Sequence, residues 1–197
     1  MLSLIRNLIL DMDGVLWRGE TPMPGLPDFY STLDQLGLGY VMATNNATKT
    51  VEQYVDKFKR FGVDMAPERI LTSAEATAAH LSEQYESGTP AYIVGDKGLH
   101  TAMRSRDFEI VSADAVKMGA RPDLVVLGFT PHAHYNDLAM ATLVLNSGAA
   151  LIGTNPDPSI PSELGPVPGA GSLLAVLTTA TGVRPQIIGK PGPLLFE

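Results

Sequence analysis

Two carboxylates stand two residues apart, Asp11 and Asp13, directly after the apolar run Leu8-Ile9-Leu10 and just before Gly14. A short apolar run that ends in acidic residues reads as a buried strand carrying functional side chains at its carboxyl end, the ligand side of open α/β sheets. Such a pair has two chemical uses. It can hold a hard cation such as Mg²⁺ through oxygen atoms, and it can divide labour between a nucleophile and a general acid/base. A solvated turn or a helix cap would use the same residues. A calcium loop of the EF-hand type is a poor match, because its glycine is needed at the sixth position and here falls at the fourth.

A second group, Val41-Met42-Ala43-Thr44-Asn45-Asn46, again ends an apolar run in small polar side chains. Its hydroxyl and amides are neutral hydrogen-bonding groups, and a following helix N-terminus would add backbone N–H groups, both suited to a phosphate. A turn with asparagine in the left-handed region is the alternative. The third group, Ile187-Ile188-Gly189-Lys190-Pro191, places a lysine at a strand end. On its own that lysine is indistinguishable from a surface one. His132 and His134 could ligate a metal, but no third ligand lies near them in sequence, and they better suit the cap of a helix starting at Tyr135. Trp17 and Tyr30 read as packing residues.

The elements that must position these groups alternate between short apolar runs and helical patterns, as in strand-helix units around parallel sheets. Strands are expected at Leu8–Leu10, Tyr40–Ala43 and Ile70–Thr72, and again at Ala91–Val94, Phe108–Val111, Leu124–Leu127, Leu151–Ile152 and Gln186–Ile188. One helix would bury Phe29, Leu33 and Leu36 and stop at Gly37. The next would bury Val51, Tyr54, Val55, Phe58 and Phe61 beside a charged, solvated face. Further helices are expected at Ala74–Gln84, Leu99–Arg104, Tyr135–Asn146 and Leu173–Ala180. The proline- and glycine-rich stretch Asn155–Gly171 reads as an irregular loop over a site or a domain junction.

Composition narrows the function. With 14 basic and 21 acidic residues the net charge is −7, so the overall field repels a nucleic-acid backbone, and a phosphate-bearing partner needs a local site. The chain has no cysteine, which excludes a disulfide scaffold, a zinc-thiolate site and a thiol nucleophile. No stretch reaches the roughly 20 apolar residues of a membrane span, and Met1–Leu10 lacks a signal-peptide cleavage site. A cytoplasmic protein with neither a nucleic-acid nor a membrane partner is expected. A dinucleotide-binding oxidoreductase is disfavoured, since Gly-x-Gly-x-x-Gly does not follow the first strand.

Taken in order, the strand ends bearing Asp-x-Asp, Thr-Asn and Lys resemble the haloacid dehalogenase (HAD) superfamily of phosphohydrolases, and within it the NagD/4-nitrophenylphosphatase-like subfamily. Supporting stretches are Asp13-Gly14-Val15-Leu16-Trp17-Arg18-Gly19, Thr154-Asn155-Pro156-Asp157 and Gly189-Lys190-Pro191-Gly192-Pro193. The resemblance implies an α/β fold: a Rossmann-like core at 1–75 and 185–197, with a C2-type α/β cap inserted at 76–184. It implies Mg²⁺-dependent hydrolysis of a small-molecule phosphomonoester, such as a sugar phosphate, a nucleotide or phosphoglycolate, through an aspartyl-phosphate. Asp11 would be the nucleophile and Asp13 the acid/base. Asp11 and the Asp13 carbonyl would hold the metal, and Thr44, Asn45, Asn46 and Lys190 would bind the phosphoryl group. A homodimer through the cap is a further expectation. The family's fourth motif, a Gly-Asp-rich metal site on the strand beside the first, is not found by Glu197. The chain is therefore expected to be C-terminally truncated, missing the last core strands, self-associating and at most feebly active. If it is instead complete, a non-catalytic phosphate-binding or regulatory role is the alternative. Ile160 stands where some pyridoxal phosphate phosphatases carry histidine, which weakens a vitamin B6 substrate.

Overall fold

A computed structural model describes residues 5–162 and 164–196. They form two compact parts: residues up to Thr44 with Val51–Thr72, and Asn45–Thr50 with the chain from Ser73 onward.

In the first part the strands β1 (Asn7–Leu10), β4 (Gly39–Thr44) and β5 (Ile70–Thr72) make a parallel sheet in the order β1-β4-β5. The hairpin strands β2 (Trp17–Arg18) and β3 (Thr21–Pro22) lie between β1 and helix α1 (Leu26–Gln35), and α2 (Val51–Arg60) precedes β5. The core is aromatic, with Trp17, Tyr30, Tyr54 and Phe58 around Met12, Met42 and Ile70. The α1 face differs from expectation. Leu26, Tyr30 and Leu33 are buried, whereas Phe29 and Leu36 are 39% and 66% exposed. Tyr30 can enter the core because its hydroxyl finds the Met42 sulfur at 3.0 Å. On α2 the charged face is not wholly solvated: Lys57 is buried, its ammonium donating to the Gly19 carbonyl at 2.7 Å.

In the second part a five-stranded parallel sheet runs β12-β9-β8-β6-β7. Its strands are β6 (Pro90–Val94), β7 (Glu109–Ile110), β8 (Leu124–Leu127), β9 (Ala150–Gly153) and β12 (Gln186–Ile187). The helices α3 (Ser73–Gln84), α4 (Lys97–Ser105), α5 (Ala113–Lys117), α6 (Tyr135–Asn146) and α7 (Ala170–Thr181) complete it. β8 is buried at every position, which its unbroken Leu-Val-Val-Leu run reflects. The short α5, capped by Ser112, has no counterpart in the sequence reading. The last strand, expected with 185–197 in the first domain, pairs instead with β9, Ile187 opposite Gly153.

The stretch 155–171 is not irregular throughout. It contains an antiparallel hairpin, β10 (Ser159–Ser162) and β11 (Gly165–Pro168), with Pro161 opposite Pro166 and Ser159 opposite Pro168. Antiparallel pairs alternate between those that exchange hydrogen bonds and those whose N–H groups point outward. Pro161, Pro166 and Pro168 all fall in the outward register, so their missing N–H groups cost no ladder bond. Among the described residues no helix is long and apolar enough to cross a membrane.

Among the described residues β1 has a hydrogen-bonded neighbour on one side only, and Ile9 on it is 61% exposed. An open apolar edge of this kind recruits other strands. The chain is expected to self-associate through it. Ile9→Lys should lower the mass measured by light scattering at matched concentration, while urea unfolding stays within about 0.5 kcal/mol of the parent.

Candidate active site

Parallel pairing sets Leu10 opposite Met42, so Asp11 and Asp13 leave the sheet at the same end as Thr44, the last residue of β4. The chain after β1 then turns tightly. The N–H groups of Val15 and Leu16 donate to the Met12 carbonyl, and that of Gly14 donates to the Trp17 carbonyl at 2.9 Å. Gly14 takes φ +84°, which a residue with a Cβ adopts only under strain. This turn returns Trp17 to Asp13, whose two carboxylate oxygens accept from different donors: Oδ1 from the Trp17 indole N–H at 2.8 Å, Oδ2 from the Thr44 hydroxyl at 3.2 Å. Tyr54 completes the wall. Burial, and next the charge of Asp13, push its hydroxyl far above the usual phenol range, a hydrogen bond with Thr44 acting in the opposite sense. Tyr54 therefore stays neutral beside Asp13.

The second part gathers the other sequence-predicted residues. The Asn45 side chain brackets the Lys190 backbone, its Oδ1 accepting from the Lys190 N–H at 2.8 Å and its Nδ2 donating to the Lys190 carbonyl at 3.0 Å. The same Nδ2 donates to Asp157 Oδ2 at 3.0 Å. Both amide hydrogens of Asn45 are thus spent on the protein, so its side chain acts by holding other groups in place. The Asn45 backbone carbonyl accepts from Ser73 Oγ at 2.7 Å and Asn155 Nδ2 at 2.8 Å. The approach is close enough to require Gly189, where an added Cβ would lie 2.3 Å from the Thr154 carbonyl oxygen and 2.7 Å from Asn45 Oδ1. Asn46 uses its side-chain oxygen to close a turn, accepting from the N–H and hydroxyl of Thr48 at 3.0 and 2.7 Å.

The donor set at the end of β1 is all oxygen, the kind that Mg²⁺ takes. Asp11 is exposed, and the Asp13 carboxylate already receives two hydrogen bonds, which favours the Asp13 backbone carbonyl as its contribution to a cation. Among the described residues no three His, Cys, Asp or Glu side chains gather as a metal cluster. These two groups would supply two of the oxygen ligands of such a cation. His132 and His134 belong to no such cluster, and His134 is the N-cap of α6, with its N–H bound to Asp137 at 2.9 Å.

A family model described as haloacid dehalogenase-like hydrolase matches residues 8–109, the stretch that carries Asp11, Asp13, Thr44 and Asn45. The chain belongs to this family. An acid sugar phosphatase of Staphylococcus aureus (strain USA300) is 40% identical over 188 residues, spanning 95% of this chain and 70% of the relative. The p-nitrophenyl phosphatase from Archaeoglobus fulgidus matches at a TM-score of 0.87 and 27% identity, over 97% of this chain and 71% of that one. The glycerol phosphate phosphatase of Mycobacterium tuberculosis, solved in complex with magnesium, matches at 0.84 and 33%, over 96% and 55%. This HAD-like hydrolase is thus a NagD-like phosphatase of the superfamily, with the α/β fold and parallel sheets expected of it.

The sequence reading missed two contributors to this HAD site. In the sequence Trp17 reads as a packing residue, although its place four residues after Asp13 across a Gly14 turn is a usable signal. Tyr54 reads as part of an apolar helix face, and nothing local announces its position beside Asp13. The Asn45 bracket yields a measurable expectation. Asn45→Ala leaves the Lys190 backbone and Asp157 without their partner and should cost about 1–3 kcal/mol in urea unfolding. Asn45→Asp should cost more, because a second carboxylate would face Asp157 and the Lys190 carbonyl. Wild-type unfolding of both variants would show that the bracket carries no stability.

Proposed function

We propose that this HAD phosphatase hydrolyses phosphomonoesters of small metabolites, sugar phosphates foremost, with Mg²⁺ as cofactor and a phosphorylated Asp11 as intermediate. The sugar-phosphate preference draws on the acid sugar phosphatase relative, and the metal on the magnesium complex of the glycerol phosphate phosphatase. The observation that carries the chemistry is the end of β1 beside the end of β4, with Asp13 held at both oxygens and Asp11 exposed two residues before it.

In this reading a carboxylate nucleophile needs no base at neutral pH, and the obstacle is its repulsion by a phosphate dianion. The Asp11 carboxylate and the Asp13 carbonyl would hold Mg²⁺, which when bound supplies positive charge against that repulsion. Asp11 attacks phosphorus while Asp13 gives a proton to the departing oxygen. Asp13 then takes a proton from the water that cleaves the acyl-phosphate, so it is restored after each turnover. Thr44 and the Asn45-Asn46 segment are assigned to the phosphoryl oxygens, and Lys190 to their negative charge.

Asp11→Asn should abolish phosphate release from sugar phosphates and from 4-nitrophenyl phosphate, and EDTA should do the same to the parent until Mg²⁺ is restored. Substantial turnover by Asp11→Asn would overturn the nucleophile assignment.

Lys190→Met should cost on the order of 3 kcal/mol in kcat/KM, comparable to losing one preorganised donor. A loss of thermal stability alone, with kcat/KM unchanged, would return Lys190 to a structural role.

A further inference from the structure

The turn after β1 places a buried, donor-only group against the carboxylate assigned to proton transfer. Trp17 is 1% exposed, and its indole N–H points at Asp13 Oδ1 across 2.8 Å. Its ring is fixed from several sides. Phe58 meets it edge-on at 5.0 Å, Phe61 lies at 5.8 Å, and Tyr54 stacks at 6.3 Å between centroids. The Lys57 ammonium sits 4.5 Å from the ring centroid, and it also grips the Gly19 carbonyl, in the loop that follows Trp17 and Arg18. A cation over the ring draws electron density from the indole and strengthens its N–H as a donor.

The chemistry follows from what each partner can do. An indole N–H donates and never accepts, whereas a hydroxyl does both. A protonated Asp13 therefore carries its proton less favourably on Oδ1, because the oxygen without the proton is the better acceptor for the indole N–H. The proton is better placed on Oδ2, where the Thr44 hydroxyl can rotate to accept it. We propose that Trp17 is a positioning residue for Asp13, fixing the rotamer of its carboxylate and assigning Oδ2 as the oxygen that gives and takes the proton. This rests on the reading of Asp13 as the acid/base. The balance is simple: the departing alkoxide leaves with the Oδ2 proton, and the attacking water later returns one to the same oxygen.

The test compares Trp17→Phe with the parent on 4-nitrophenyl phosphate and on an alkyl sugar phosphate, reading kcat/KM for each. 4-Nitrophenolate departs without help from an acid, and an alkoxide does not. Trp17→Phe should lower kcat/KM for the alkyl phosphate by about 10- to 100-fold, in line with a misplaced catalytic group, while the nitrophenyl value changes by less than about threefold. Phe58→Leu, which loosens the same packing but keeps the indole N–H, should lose stability and keep the parent ratio between the two substrates. Equal losses of Trp17→Phe on both substrates, or no loss, would overturn the proposal.

Asp13→Asn is measured alongside. If it keeps full activity on the alkyl phosphate, the acid/base reading fails, and the role of Trp17 fails with it. If Asp13→Asn is slow and Trp17→Phe keeps the parent ratio, only the Trp17 assignment fails. Should Trp17→Phe not fold, the chain's single tryptophan supplies a second readout. Asp13→Asn, with an unchanged circular dichroism spectrum, should shift the emission of Trp17, and an unshifted spectrum would overturn the contact.

Discussion

The parallel hydrogen bonding of β1 to β4 is the constraint on which the rest of the first part depends. Adjacent parallel strands end on the same side, so two stretches far apart in sequence deliver their polar ends together. The register that sets Leu10 opposite Met42 brings Thr44 within 3.2 Å of Asp13. A slip by one residue would turn the buried Tyr40 and Met42 toward the opposite face and carry Thr44 away. The aromatic core opposes that slip, because Trp17, Tyr30, Tyr54 and Phe58 fill the space against which Met42 packs. Register and site are thus secured by the same contacts.

What could be read in the sequence follows from the range of each interaction. Ile70–Thr72, Leu124–Leu127 and Tyr135–Asn146 were placed at their observed bounds, since periodicity, turn residues and caps are local. The Asp11–Asp13 pair and Thr44 stand out in the sequence because strand ends advertise their polar residues. The Asn45 bracket could not be found that way: its partners Asp157 and Lys190 lie 112 and 145 residues away, and no pattern near Asn45 reveals that its amide is committed. The hairpin 159–168 was missed for a different reason. Proline content argues against a ladder only until the register is known, and the register is a property of the pair.

Lys57 shows how a locally unfavourable choice is made consistent. Burying an ammonium is expensive, and an apolar residue would fill the same space more cheaply. Here the charge is offset by the Gly19 carbonyl at 2.7 Å, by Glu20 at 3.4 Å and by the indole face of Trp17. These groups belong to one short stretch, Trp17–Glu20, so the cost of burial fixes the chain that follows the two aspartates. A methionine would pack there without anchoring anything.

The outward register of prolines in the 159–168 hairpin has a further consequence. On β11 the two outward-facing positions of the ladder are Pro166 and Pro168, so that edge offers carbonyl oxygens and no amide hydrogen. An incoming strand needs both to extend a ladder. That edge of the hairpin is consequently terminated and unable to template another strand. The hairpin can remain exposed, with Leu164 at its tip fully in solvent, and there still be spared the fibre-forming stacking that such an apolar, solvent-facing ribbon would otherwise invite.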